Sequence, residues 1–504
     1  MAYAATAEGF PSSVTSAPRV AALQRALVWL VGASSAIVFI EPSPYELVTL
    51  AATVIFFATG LRLRLVFMPL LLLLFLINIG YSISATSLMD KPEVANWIAT
   101  SWYMAVTVIF FAMVISEDTA ARLDMLRRGL IVGALIAATS GIAGYFNLVP
   151  GGHDLLTLYE RARGTFKDPN VLAAFLILPA LFALQSVVSD GLRKSFRSTI
   201  ALGIMALAIL LAFSRAAWGG LAITSGFMLA LMVLTSQSRA QRSRIIVMSV
   251  VAVIIAAMLI AVLLSFDSIG EMFRQRASFD QSYDEGRFGR FGRHILGADM
   301  ALDLPFGIGP LQFHKYFPED THNSYLNAFM SGGWISGISY PALVFITVIM
   351  GFRHVFVHVP WQRAYLAIFA AFLGTVGENF IIDTDHWRHF WMMLGAMWGM
   401  FAAATAIRRP QIRRSRRPQT LARHKPRDLR LDLEGQAGVI DEAPDQTVAH
   451  RRAGSPDAAW NFRRVAQQAD RAFRDHFRSR SITGIAIAVH GDANLTAVGC
   501  DPDE

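Results

Sequence analysis

The residues with the clearest capacity for chemistry are arginines. In EGRFGRFGRH, residues 285–294, Arg287, Arg290 and Arg293 recur at every third position. A helix through them would place all three on one broad face, with His294 returning almost over Arg287. A guanidinium fork bonds two phosphate oxygens at once, so such a cluster suits a diphosphate. Gly289 and Gly292 weaken that helix, and with Phe288 and Phe291 the stretch equally suits an interfacial helix held by anionic lipid. Further on, His322 stands just before an apolar run that opens near Asn323 or Ser324. A helix N-terminus disfavours imidazolium, so this ring is expected to stay neutral and able to accept a proton. A neutral imidazole beside a cationic diphosphate site is what a general base for an acceptor hydroxyl requires. Taken alone, one histidine is an ordinary hydrogen-bonded residue.

Three other constellations accompany these. RARGTFKDPN, residues 161–170, sets Arg161, Arg163 and Lys167 ahead of a helix that Pro169 and Asn170 can open. The cations would form a cup at its positive end, fit for an anion, or simply anchor the span at the headgroups. In FSRAAWGG, residues 213–220, Arg215 stands alone where one apolar stretch meets the next, placed to snorkel, to pair or to hold a phosphate. IIDTDHWRHF, residues 381–390, contains Asp383-Thr384-Asp385, which imitates a metal-binding DxD, with His386 beside it. Ion pairing to Arg388 or to the arginine loop is the simpler reading, so no metal and no cofactor are expected. Cys500 is the one cysteine, which leaves no intrachain disulfide and no Cys-based metal cluster.

The elements that must position these groups are membrane spans. Of 504 residues, 54% are hydrophobic and 16% charged, and mean hydropathy is +0.44. Soluble domains carry about 25% charged residues, so lipid is the expected solvent. Hydropathy predicts about twelve spans, near 21–40, 44–60, 65–86, 96–116, 125–147, 170–189, 198–213, 216–235, 245–266, 324–350, 361–381 and 387–407. In lipid these must be helices, because every backbone polar group needs a partner inside its own segment. The first run is too long for a signal h-region and reads as a span. A pI of 9.8 would suggest nucleic acid in a soluble chain. Here the cations follow the positive-inside pattern instead: Arg62 and Arg64, Arg122 to Arg128, Arg193 to Arg197, Arg239 to Arg244, Arg353 and the tail after Ile407 fall on one side. That makes both termini cytoplasmic and excludes a nucleic-acid partner. Arg161, Arg163, Arg215 and the arginines of the large loop 267–323 break the pattern, which suggests that function requires them outside. The divisions are therefore a cytoplasmic segment 1–20, a membrane domain 21–407 and a basic tail 408–504. Phe462, Val465, Ala469, Phe473 and Phe477 give that tail the pattern of a surface amphipathic helix or of a disordered, lipid-attracted segment.

In their order, RARGTFKDPNVLA, SRAAWGG, the arginine loop leading to PFGIGP, HNSYL and DTDHWRHFW resemble the bacterial O-antigen ligase and O-antigen polymerase superfamily. The resemblance spans about residues 160–400. It implies an all-α, GT-C-like polytopic bundle with one large periplasmic loop in the inner membrane. It also implies a metal-independent inverting glycosyltransferase whose donor is a glycan on undecaprenyl diphosphate. The acceptor would be a hydroxyl of lipid A-core or a similar glycan. By the same resemblance His322 is the catalytic base. Arg215 and an arginine of 287–293, Arg287 or Arg290 foremost, bind diphosphate, with Arg161 and Arg163 as further candidates and Asn323, Asp383 and Arg388 in support. A polysaccharide polymerase shares this chemistry and differs in acceptor. A secondary transporter is the alternative of another class, but it would show ionisable residues at mid-membrane and repeated halves, and neither is seen.

Overall fold

A computed structural model describes residues 18–277 and 286–416. Among them, helices α1 (Pro18–Ser34), α2 (Pro44–Ala58), α3 (Met68–Ser84), α4 (Pro92–Ser116) and α5 (Thr119–Tyr145) come first. A short α6 (Gly152–Leu156) leads into an antiparallel hairpin of β1 (Thr157–Leu158) and β2 (Arg161–Ala162). Then follow α7 (Pro169–Ser189), α8 (Leu192–Leu211), α9 (Arg215–Thr235) and α10 (Arg239–Leu264). The large loop holds α11 (Asp267–Ala277) and α12 (Arg290–Asp303), and α13 (Ser324–His354), α14 (Gln362–Glu378) and α15 (Arg388–Arg416) complete the bundle.

Helices start where capping chemistry allows. Asp168 accepts the Asn170 N–H with Pro169 in the first turn of α7, and Ser43 and Glu46 form a reciprocal capping box on α2. The division between α8 and α9 falls at Phe213, whose φ of 45° ends one helix, and at Ser214, whose side chain caps the next. Each of the twelve stretches expected to span contains one helix. Nine helices of the described residues are long and apolar enough to cross a membrane, and the chain is an all-α, multi-pass membrane protein. The other three, α1, α2 and α14, have 17, 15 and 17 residues, short of the roughly 20 needed for an untilted crossing. Burial sorts the spans: 94% of the apolar window of α7 is buried and 6% of that of α10, so α7 runs through the centre and α10 along the rim.

Contacts gather the loops at two ends. At one end Lys167 pairs with Glu41 at 2.8 Å, Arg388 reaches Glu41 and Glu46, and Asp383 holds residues 321–323. At the other end Arg363 pairs with Asp190 at 3.1 Å, and Gln24 bonds Thr59. PFGIGP belongs to the first end and serves α13. That helix breaks at Gly333, with φ 63° and ψ −161°. The loop fills the break: Ile308 N–H donates to Met330 O at 2.7 Å, and Trp334 N–H to Pro305 O at 2.9 Å. The groups freed by the break thus find partners, as they must at membrane depth. Residues 1–17, 278–285 and 417–504, including the amphipathic pattern of the tail and Cys500, lie outside the described residues.

Candidate functional site

His322 lies at the first end of the bundle, in a left-handed backbone conformation (φ 47°) just ahead of α13. Asn323 is the N-cap: its Oδ1 accepts the N–H groups of Tyr325 and Leu326, both at 3.1 Å. Asp383, from the loop between α14 and α15, closes over the same turn. Its carboxylate accepts the Thr321 hydroxyl at 2.8 Å, the Asn323 N–H at 2.9 Å and the His322 N–H at 3.0 Å. Burial and the neighbouring Asp385 push the Asp383 pKa up, against the pull of those three donors. The imidazole stands between two carboxylates, Nδ1 at 3.8 Å from Asp383 Oδ2 and Nε2 at 3.9 Å from Glu319 Oε2.

Arginines of α12 flank this ring. Arg293 is 2% exposed and donates to Glu319 Oε2 at 2.7 Å and to Phe288 O at 3.1 Å. Burial lowers the His322 pKa most, and Arg290 and Arg293 lower it further against Glu319 and Asp320. His294, bonded to Thr321 O at 2.8 Å, is held down by burial and the same two arginines. The structure therefore brings together His322, Asn323, Asp383, Arg290 and Arg293. The other face of α12 exposes Phe291, Ile295 and Leu302, the amphipathic stripe of an interfacial helix.

The remaining candidates stand elsewhere in the local bonding. Arg287 precedes α12 rather than riding on its face, because Gly286 turns at φ 81° and Gly289 is the N-cap. Its guanidinium lies 5.8 Å from the Phe288 ring centroid. Arg161 is buried, donating to Ala212 O and to Asn170 Oδ1, both at 2.7 Å, and so ties the hairpin to the α8–α9 junction where Arg215 begins α9. Arg163 donates to Leu155 O at 3.3 Å. With Lys167 on Glu41, the three cations of RARGTFK each bond a different partner. Arg388 does not pair with Asp383 or Asp385. It bonds Glu46 through Nε at 2.9 Å and joins the start of α15 to that of α2.

Next to His322 opens a cleft of about 430 Å³, within the roughly 300–1,000 Å³ of small-ligand sites. Thr321, Asp320 and Asp383 form its edge toward the imidazole, and Trp97, His386 and Trp387 stand in its wall. Among the described residues no group of three His, Cys, Asp or Glu side chains is arranged to hold a metal ion, the DTDH segment included.

Residues 200–340 match a family model described as O-antigen ligase. This stretch is similar to the O-antigen ligase family. No curated protein matches the chain. Its activity is accordingly of the O-antigen ligase or polymerase type, glycosyltransferase-like, and its setting is a membrane. The O-antigen ligase segment contains Arg215, the arginines of α12, His322 and Asn323, and excludes Arg161, Arg163, Asp383 and Arg388. Sequence reasoning missed Glu319, which anchors Arg293, and weighed Asp385 only within a DxD pattern, where it anchors Asn327. For Glu319 a signal existed: two acids, Glu319-Asp320, directly precede the histidine. For Trp97 there was none, because it reaches the cleft from α4.

Proposed function

We propose that this O-antigen ligase-like protein transfers a glycan from a polyprenyl diphosphate to an acceptor hydroxyl at the periplasmic face of the inner membrane, with both termini in the cytoplasm. The observation that carries the reading is the meeting, at one end of a multi-pass bundle, of His322 with Arg290 and Arg293, which together with burial lower its pKa. Asp383 holds the His322 backbone N–H at 3.0 Å and stands 3.8 Å from Nδ1, and in this reading the Nε2 lone pair meets the acceptor. The acceptor oxygen attacks the anomeric carbon and its proton passes to Nε2. The bond from that carbon to the phosphate oxygen breaks, and its electron pair leaves with the diphosphate. One displacement inverts the anomeric configuration. In this reading Arg290 stabilises that charge without a metal and Arg293, held by Glu319, supports it; loss of one such donor costs on the order of 10²–10³-fold in rate. Arg215, inside the matched segment and at the first turn of α9, is the further diphosphate ligand in this reading.

The acceptor is a lipid A-core hydroxyl in this reading, and a growing glycan in the polymerase reading. The test is purified protein in nanodiscs with a synthetic polyprenyl-diphosphate glycan and either acceptor. Transfer to lipid A-core is expected, with a raised donor KM in Arg290→Ala and Arg215→Ala. Chain lengthening alone would make the protein a polymerase, and turnover with neither acceptor would overturn glycan transfer.

A further inference from the structure

The cleft beside His322 shares only Asp383 with the steps above, and its charge is opposite to that of the α12 side. Five lining side chains are carboxylates, Glu41, Glu93, Asp320, Asp383 and Asp385, against Arg388 and His386. Arg388 is engaged by Glu46 and Glu41, and Lys167 also pairs with Glu41, so the excess negative charge lies with Glu93, Asp320 and the Asp383–Asp385 pair. The polar lining is fixed in place. Asp385 accepts from Asn327 at 2.9 Å, and the Asn327 amide oxygen accepts from Ser331 at 2.8 Å. The aromatic wall is fixed too: the Trp97 ring lies 4.3 Å from His386 and 4.9 Å from Tyr81, centroid to centroid.

Carboxylates and amides held in a row match sugar hydroxyls, which need acceptors and donors at short spacing. An indole face covers the apolar C–H face of a pyranose. The same carboxylates repel phosphate and carboxylate substituents. We propose that the cleft is the acceptor subsite and that it takes uncharged sugar residues, selecting against phosphorylated sugars and uronic acids. This rests on the glycan-transfer reading. The donor sugar is joined to a diphosphate, which the carboxylates would push away, so the donor belongs on the α12 side of the imidazole. The acceptor is left the cleft, and its reacting hydroxyl passes Thr321 to reach His322.

The test is binding without donor. Full-length protein in nanodiscs is titrated calorimetrically with a neutral hexose or N-acetylhexosamine oligosaccharide, its sugar-phosphate counterpart and its uronate counterpart. The neutral ligand should bind about tenfold or more tightly than either anionic one. Trp97→Ala should weaken neutral binding by about tenfold, with Trp97→Phe restoring most of it. Glu93→Gln, at an exposed position, should narrow the gap between neutral and phosphorylated ligands. Equal binding of charged and neutral sugars, or unchanged affinity in Trp97→Ala, would overturn the proposal. So would competition by a short-chain polyprenyl-diphosphate sugar for the cleft, which would give it to the donor. Neutral binding with no transfer to any acceptor would count against glycan transfer alone, and transfer without a neutral preference against the cleft alone.

Discussion

His322 has Arg290 and Arg293 acting on it from one side and Glu319 and Asp320 from the other, and burial does most to hold its pKa below 6.5. The neutral ring is the form that accepts a proton, so kcat/KM should fall only as pH drops through that lowered pKa. Arg290→Gln removes a like charge, which raises the pKa and moves the acid limb of the profile to higher pH. An unmoved limb would mean that Arg290 does not act on the imidazole. The base candidate was legible from its place before a span. The carboxylate that holds its backbone N–H was not, because Asp383 lies 61 residues away along the chain and meets His322 only through the fold. Arg161, whose type and position suit an anion, also bonds a carbonyl and an amide oxygen, and neither partner was legible from its motif.

At the scale of elements, the first turn of α13 is held twice, by Asn323 within the helix and by Asp383 across from the α14–α15 loop. Asp383→Ala removes the acceptor for two backbone N–H groups and one hydroxyl, and should cost about 1–3 kcal/mol in unfolding assays. Arg388→Ala breaks the tie between α15 and α2 and should cost about 3 kcal/mol, lowering the thermal midpoint. Donor KM should be unchanged in Arg388→Ala; a raised KM would return Arg388 to the diphosphate site. Helix starts were readable because Asp168-Pro169, Ser214 and Asn323 are capping residues. The break in α13 was not, since Gly332 and Gly333 lie inside one continuous apolar run. Gly333 takes a positive φ and has Pro305 O against the position of a side chain. A three-residue spacing put Arg287 on the α12 face, but Gly289 starts the helix one residue before Arg290, and Arg287 falls outside it.

For the whole molecule, hydropathy located the helices because lipid demands long apolar segments with internal hydrogen bonding. It did not reveal which helices are central, since α7 and α10 both read as apolar and differ in what surrounds them. Positive-inside counting predicts sidedness. A membrane-impermeant maleimide applied to whole cells with a permeabilised outer membrane should label Leu311→Cys, and should miss Gln237→Cys and the natural Cys500. Reversed labelling would put the site in the cytosol and remove it from a periplasmic glycan. The most direct measurement is release of polyprenyl diphosphate from a synthetic glycan donor by His322→Ala in nanodiscs, in the presence of acceptor. Release should fall by about 10²–10⁴-fold while labelling and thermal midpoint match the parent protein. Release at the parent rate would contradict a catalytic imidazole beside the arginines of α12.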